Sequence, residues 1–411
     1  MHKKFYLRFE DYIHRRELIK STLIRDECQH VCTKSTWSHF RMLKLSNCFI
    51  SLLYRRKLDF DHTKRGKNTV ESITIKDIAK ALNLSTSTVS RALRDSSEMN
   101  LETKKMVLEY ARQMNYSPNP MAVSLRENKS KAIGVILPEI ANSFFSQLIN
   151  GVEEVAYEQG YHVVIFQSHE SYEREVANLK YLASRRVDGM LVSLSSLTTD
   201  LHPFHSLIEK GMPFVFFDRV PASEKVHTIT SDNYQSSYNA TKHLLINGKK
   251  RIAHLTSPRY LSITTERLEG YRRALIDHDI PYDENLIKFC HYGGAVAQEN
   301  EQTIRDLLSL PHPPDGILAA SDRLTMGCLE HLHKNNIRIP EEIAIVGFTN
   351  MPVAGLLDPP LTAVVQPAAG MGKRATELLI QLIESPDQIK GFQHISLPSD
   401  LQVRRSSASY I

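Results

Sequence analysis

Cysteine is scarce in this chain of 411 residues. The five present, Cys28, Cys32, Cys48, Cys290 and Cys328, are too few and too scattered to frame a disulfide scaffold, which fits a reducing compartment. Long apolar runs are missing as well. The richest, Leu43–Tyr54, is too short and too interrupted to cross a bilayer, and residues 1–30 mix charges where a secretory signal would need an apolar stretch. A cytoplasmic protein without membrane attachment is expected. The sequence also lacks a Gly-x-Ser-x-Gly elbow and a glycine-rich phosphate loop, and its histidines are scattered. Cys28-x-His30-x-Cys32, with His39 and Cys48 beyond it, has irregular spacing for zinc. The expectation is therefore a binding protein rather than an enzyme, with no cofactor and no metal.

Positive charge is present but unevenly placed. Residues 1–65 hold 15 Lys or Arg against 7 Asp or Glu, so the formal net charge of +5 comes from the N-terminal end and the remainder is slightly acidic. Such a patch suits nucleic acid or another anionic surface, and a solvated basic tail is the alternative.

The hydrophobic pattern changes once along the chain. Ile73–Tyr116 contains no glycine and reads as short amphipathic helices. From Ala132 onward, short runs rich in Val, Ile and Phe (Ile133–Leu137, His162–Phe166, Met190–Leu194, Phe214–Phe217, Ile252–Leu255, Gly316–Ala320, Ile343–Phe348) alternate with helical segments, as buried parallel strands and their crossovers do. A closed eight-stranded barrel competes with two open sheets. A polar break at Ser231–Asn233 and a restart at Lys250–Ala253 favour the two sheets, which would hold a ligand between their strand ends.

Residues 73–93, ITIKDIAKALNLSTSTVSRAL, carry the sharpest signal. Thr74 can cap a helix from Ile75 to Leu82, and Ser85 a second one containing Val89 and Leu93. Two short helices meeting at the Asn83-Leu84 turn form a helix-turn-helix, in which the second helix reads the major groove; an ordinary helical hairpin is the alternative. Thr86, Ser87, Ser90 and Arg91 would then face the bases, with Arg91 able to grip guanine through two hydrogen bonds.

These residues closely resemble the DNA-binding signature of the lactose/galactose-repressor (LacI/GalR) family, and the likeness continues through Asn115–Pro120, Ser124-Leu125-Arg126, Arg186–Gly189, Ser231-Asp232-Asn233, Glu266–Tyr271 and Ile345–Phe348. The resemblance implies an all-α helix-turn-helix domain (70–117), a hinge helix (118–130) and a bilobed sensor (131–405) similar to periplasmic binding proteins, made of two open parallel α/β sheets. It implies a transcriptional regulator, most simply a homodimeric repressor on double-stranded operator DNA, whose grip is set by a small-molecule effector, a sugar or sugar derivative. A sugar receptor without DNA activity is the alternative, against which residues 73–126 argue.

By the same resemblance Thr74 and Tyr116 join the DNA-binding set, and Leu125 is the hinge leucine that wedges into the minor groove. Leu125 as a packed linker residue is the other reading. In the sensor, Asn142, Phe144, Phe145, Arg267 and Asp322 would face the effector, with Phe145 the preferred ring contact. Asp322 could instead be a helix cap, and Arg267 half of a surface ion pair. Ser143 stands where the family has proline, which loosens the expected helix start. Nothing in residues 1–69 resembles the family. That region reads either as an additional DNA- or membrane-contacting arm or as a start placed too far upstream, and the run Val70–Thr74, which looks like a normal family start, favours the second.

Overall fold

A computed structural model describes residues 73–94, 99–117, 129–222 and 225–408. The chain divides after Tyr116 into two compact units.

The first unit contains α1 (Ile75–Ala81), α2 (Thr86–Ala92) and α3 (Leu101–Gln113). Thr74 and Asp77 close a reciprocal capping box on α1, and the Ser85 hydroxyl accepts from the Thr88 amide at 3.0 Å to start α2. Between them Asn83 takes a left-handed φ of 52°, a conformation that asparagine tolerates better than most residues. The turn lays Ile78 and Ala79 of α1 against Val89 and Ala92 of α2, and Val107 and Ala111 of α3 complete a small core. Three alanines in so small a core let the helices approach closely.

The second unit is built from two six-stranded sheets. In the first, β1 (Ala132–Leu137), β2 (His162–Gln167), β3 (Gly189–Val192), β4 (Phe214–Phe217), β5 (His227–Ser231) and β11 (His394–Leu397) lie in the order β11-β5-β4-β3-β1-β2. In the second, β6 (Ile252–Thr256), β7 (Ile287–Phe289), β8 (Gly316–Ala319), β9 (Ala344–Phe348), β10 (Thr362–Val365) and β12 (Asp400–Gln402) lie in the order β12-β10-β9-β8-β6-β7. The helices are α4 (Ser143–Glu158), α5 (Tyr172–Ser184), α6 (His202–Ile208), α7 (Asn233–Ile246), α8 (Ser262–Asp277), α9 (Ala297–Leu308), α10 (Asp322–Lys334) and α11 (Ala368–Glu384).

Two open sheets replace the barrel alternative. Every pairing is parallel except that of β10 with β12, so the expectation of purely parallel sheets is corrected at one edge. The chain passes between lobes three times: from β5 into α7, from β10 into α11, and from β11 to β12. The polar break at Ser231–Asn233 is the first of these crossings. In the first lobe α4 and α11 cross where Gly151 faces the Ala369 carbonyl and Gly372 faces that of Leu148; a Cβ on either would fall 2.1 Å from the oxygen.

Candidate functional sites

In the first unit the residues expected to read DNA sit on or beside α2. Thr86, Ser87 and Arg91 are exposed, while Val89 and Ala92 are turned into the core. Ser90 is half-buried and already engaged: Arg94 Nη2 donates to its hydroxyl at 2.9 Å and Arg94 Nε to its carbonyl at 3.2 Å. Arg94 was not singled out from the sequence, although its i+4 spacing from Ser90 is the signal for such a contact. The Thr74 hydroxyl donates to Asp77 at 2.6 Å, and that bond holds the Asp77 carboxyl below its usual range. Tyr116 follows Asn115, whose φ of 48° turns the chain back after α3, and it packs half-buried against the helical core. Leu125 and the cysteine cluster at positions 28–48 lie outside the described residues.

In the second unit the carboxyl ends of the strands face one another across the cleft. Arg267 lies in the second turn of α8 rather than at its start, and it is 3% exposed rather than a surface ion-pair partner. Its Nε donates to Asn233 Oδ1 at 2.9 Å, its Nη1 to the Ala320 carbonyl at 2.6 Å, and its guanidinium carbon stands 4.2 Å from the Phe348 ring centre. Burial pulls its pKa down to about 10, with Asp218 and Glu266 opposing, so the cation persists at neutral pH.

Asp322 is the first residue of α10, not its cap. That role belongs to Ser321, whose hydroxyl accepts from the Leu324 amide at 3.2 Å. The Asp322 carboxyl therefore does not serve as the cap of the helix it opens. Burial pushes its pKa up, against the Thr349 and Asn142 side chains and the Asn350 backbone, and its Oδ1 is buried without a hydrogen-bond partner. Asp322 and Asn142 line one cavity of about 260 Å³, together with Glu139, Ala141, Ser143, Arg323, Met326 and Met351.

Asn142 Oδ1 also accepts from the Phe144 and Phe145 amides at 2.8 and 3.4 Å, so α4 starts firmly at Ser143 without the family's proline. Phe144 and Phe145 are turned inward. They are 7% and 5% exposed, their rings meet edge to face at 5.2 Å, and both belong to the first-lobe core beside Leu148 and Met371. At successive helical positions both rings fall on the stripe that covers the sheet, and neither borders the cavity.

A charged cluster at the first-lobe strand ends was missed. Arg219 Nη1 reaches both Glu170 oxygens, at 2.9 and 2.8 Å, and Glu170 accepts from the Ser196 amide at 2.7 Å. The fully buried Glu175 accepts from the Ser195 amide and the Thr198 hydroxyl, each at 2.7 Å. Burial alone would depress Arg219, but Glu170 and Asp218 beside it hold its pKa above the usual value. Asp218-Arg219 directly after the apolar run Phe214–Phe217 was the available signal, since charged residues at the end of a buried strand point into a cleft. Ser168 Oγ, Arg219 Nε, Thr264 Oγ1 and Asp322 Oδ1 are all buried without a partner around these strand ends and helix starts. Among the described residues no helix is long and apolar enough to cross a membrane.

A helix-turn-helix followed by a bilobed binding domain defines a ligand-responsive transcription regulator. Residues 74–119 match the model of bacterial regulatory proteins of the lacI family, and residues 130–400 that of periplasmic binding proteins and the sugar binding domain of the LacI family. The chain belongs to the LacI family. It is 32% identical over 319 residues to the HTH-type transcriptional repressor PurR of Vibrio atlanticus (strain LGP32), covering 77% of this chain and 94% of that one. To the HTH-type transcriptional repressor CytR of Escherichia coli (strain K12) it is 31% identical over 340 residues, covering 82% and 95%. The solved complex of the transcriptional regulator CelR with cellobiose superposes with a TM-score of 0.60 at 28% identity, covering 81% of this chain and 99% of that one.

Proposed function

We propose that this chain is a repressor whose operator grip is set by a small, uncharged, polyhydroxylated effector held between the sensor lobes. The observation that carries the reading is the cavity of about 260 Å³ at the strand ends, lined by Asn142 and by Asp322, whose buried Oδ1 has no partner and can accept from a ligand hydroxyl. Glu170 pairs with Arg219 and Glu139 with Arg323, so two cations of the cleft are already matched by carboxylates. The cellobiose bound by the CelR relative is of the same uncharged class.

In this reading residues 70–117 bind the operator, 118–130 form the hinge with Leu125 wedging into the minor groove, and 131–405 sense the effector. Thr86, Ser87 and Arg91 face base edges, while Thr74, Ser90 and Tyr116 contact or position the backbone. One helix-turn-helix among the described residues implies a homodimer on a pseudo-palindromic site.

The test has two stages. Selection from random DNA should yield a pseudo-palindrome, and a thermal-shift screen of neutral sugars, nucleosides and sugar phosphates should yield a neutral hit that changes operator affinity. Selection without sequence enrichment would refute the DNA reading, and hits confined to phosphorylated compounds would refute the effector class.

A further inference from the structure

The two sensor lobes touch through polar contacts of two kinds. Beside the crossovers the contacts are neutral amides and hydroxyls. Gln147 of α4 and Asn350 bond reciprocally, at 3.0 Å to the Asn350 carbonyl and 2.8 Å from its side chain, and Gln366 donates to Ser231 at 2.8 Å. Away from the crossovers, among the described residues, the Tyr260 hydroxyl after β6 donates to the Ser196 carbonyl after β3, and there is one ion pair: Arg323 Nη2, at the start of α10 in the second lobe, donates to Glu139 Oε2, in the loop after β1 of the first lobe.

The position of this pair matters because the lobes can move apart only about the crossovers. The first crossing leaves from β5, and β4 and β3 separate that strand from β1; the second leaves from β10, and β9 separates it from β8. At about 4.8 Å per strand, Glu139 and Arg323 therefore stand roughly 14 and 10 Å from the crossover strands of their own sheets. Contacts near a hinge barely change on opening, whereas those at this distance separate first. The pair also bounds the 260 Å³ cavity that Asp322 lines, at the mouth of the cleft.

We infer that Glu139 and Arg323 form a rim latch that holds the sensor closed without effector, so that effector exchange requires the pair to part. The inference rests on reading this cleft as the effector site. Side chains of Arg323 and Glu139 are 33% and 31% exposed, enough for salt to reach them and enough burial for the pair to hold. The latch makes the ligand-free equilibrium between open and closed lobes sensitive to ionic strength, while the neutral Gln147–Asn350 contact is not.

Hydrogen exchange on the full-length protein without ligand or DNA tests this independently of the effector reading. Glu139→Gln and Arg323→Gln should each speed exchange at the amides of 142–146 and 321–325 by about two- to five-fold, the range expected for a partly exposed pair. Core amides of β1 and β6 should be unchanged, which controls for global unfolding. The charge swap Glu139→Arg with Arg323→Glu should restore protection. Raising NaCl from about 0.05 to 0.5 M, which shortens the screening length from roughly 14 to 4 Å, should speed the wild type and leave Glu139→Gln unaffected. Wild-type protection in either single variant, or a swap no better protected than the singles, would overturn the latch.

Discussion

Asn233 holds Arg267 at the point where the chain first leaves one lobe for the other: its Oδ1 accepts from the guanidinium Nε at 2.9 Å, and its Nδ2 donates to Glu266 at 2.8 Å. A residue of the first crossover thus aims the cation of the cleft.

Arg267→Lys should therefore fail as a conservative change. A lysine ammonium cannot serve Asn233 and Ala320 in the fixed fork that the guanidinium provides, so one buried acceptor loses its donor, at about 1–3 kcal/mol. Urea denaturation should show a loss of that size, and effector affinity should drop at least ten-fold. Unchanged stability and affinity would show that the fork is not needed.

Asp322 and Ser321 are neighbours with separable duties. Asp322→Ala should abolish the effector response while leaving thermal stability and effector-free operator affinity nearly intact, because the cap of α10 is Ser321. Ser321→Ala should lower stability by about 1 kcal/mol instead. Calorimetric titration with the screened effector and thermal melts of both variants separate the two; a melt shift in Asp322→Ala equal to that of Ser321→Ala would give the aspartate a structural role.

How far these sites were legible differs by element. The strands β1, β4, β6, β8 and β9 announced themselves because burial on both faces makes them continuous apolar runs, and Thr74 and Ser85 announced α1 and α2 through their caps. The edge strands β11 and β12 stayed hidden, since half-exposed short strands such as His394–Leu397 carry little periodic signal. Arg267 and Asp322 were named from the sequence, but their burial was not readable, because it depends on residues distant in sequence, such as Asn233 and Ala320 around Arg267. The burial of Phe145 in the first-lobe core was not readable, because a turn residue and a core residue have the same apolar character.

On α2, Arg91 and Arg94 should respond differently to mutation. Arg91 is exposed, whereas Arg94 is bonded to Ser90 and shapes the end of the helix. Arg91→Ala should weaken the selected operator by about 1–3 kcal/mol and random DNA far less, relaxing preference at one base pair. Arg94→Ala should weaken both in parallel. Fluorescence anisotropy on operator and scrambled duplexes measures the contrast, and equal losses for Arg91→Ala on the two would show that it reads no base.

His254 predicts the acid limit of the sensor. It lies in β6, fully buried, with its ring stacked on Tyr271 at 5.1 Å and set against the Leu318 backbone. Burial lowers its pKa to about 3, against an unfolded value near 6.5, so the folded state holds the ring neutral while the unfolded chain takes up a proton below that value. Its contribution is constant above about pH 6.5 and erodes as pH falls toward 3. At 1.36 kcal/mol per pH unit the loss reaches about 2 kcal/mol at pH 5.0. Glu175, Asp218 and Asp322, whose burial raises their pKa values, act in the opposite direction, so the total slope does not isolate the histidine. The comparison with His254→Leu does: between pH 7.5 and 5.0 the wild type should lose about 2 kcal/mol more than the variant in urea denaturation. Parallel pH profiles would mean that the buried ring is protonated as readily as in the unfolded chain.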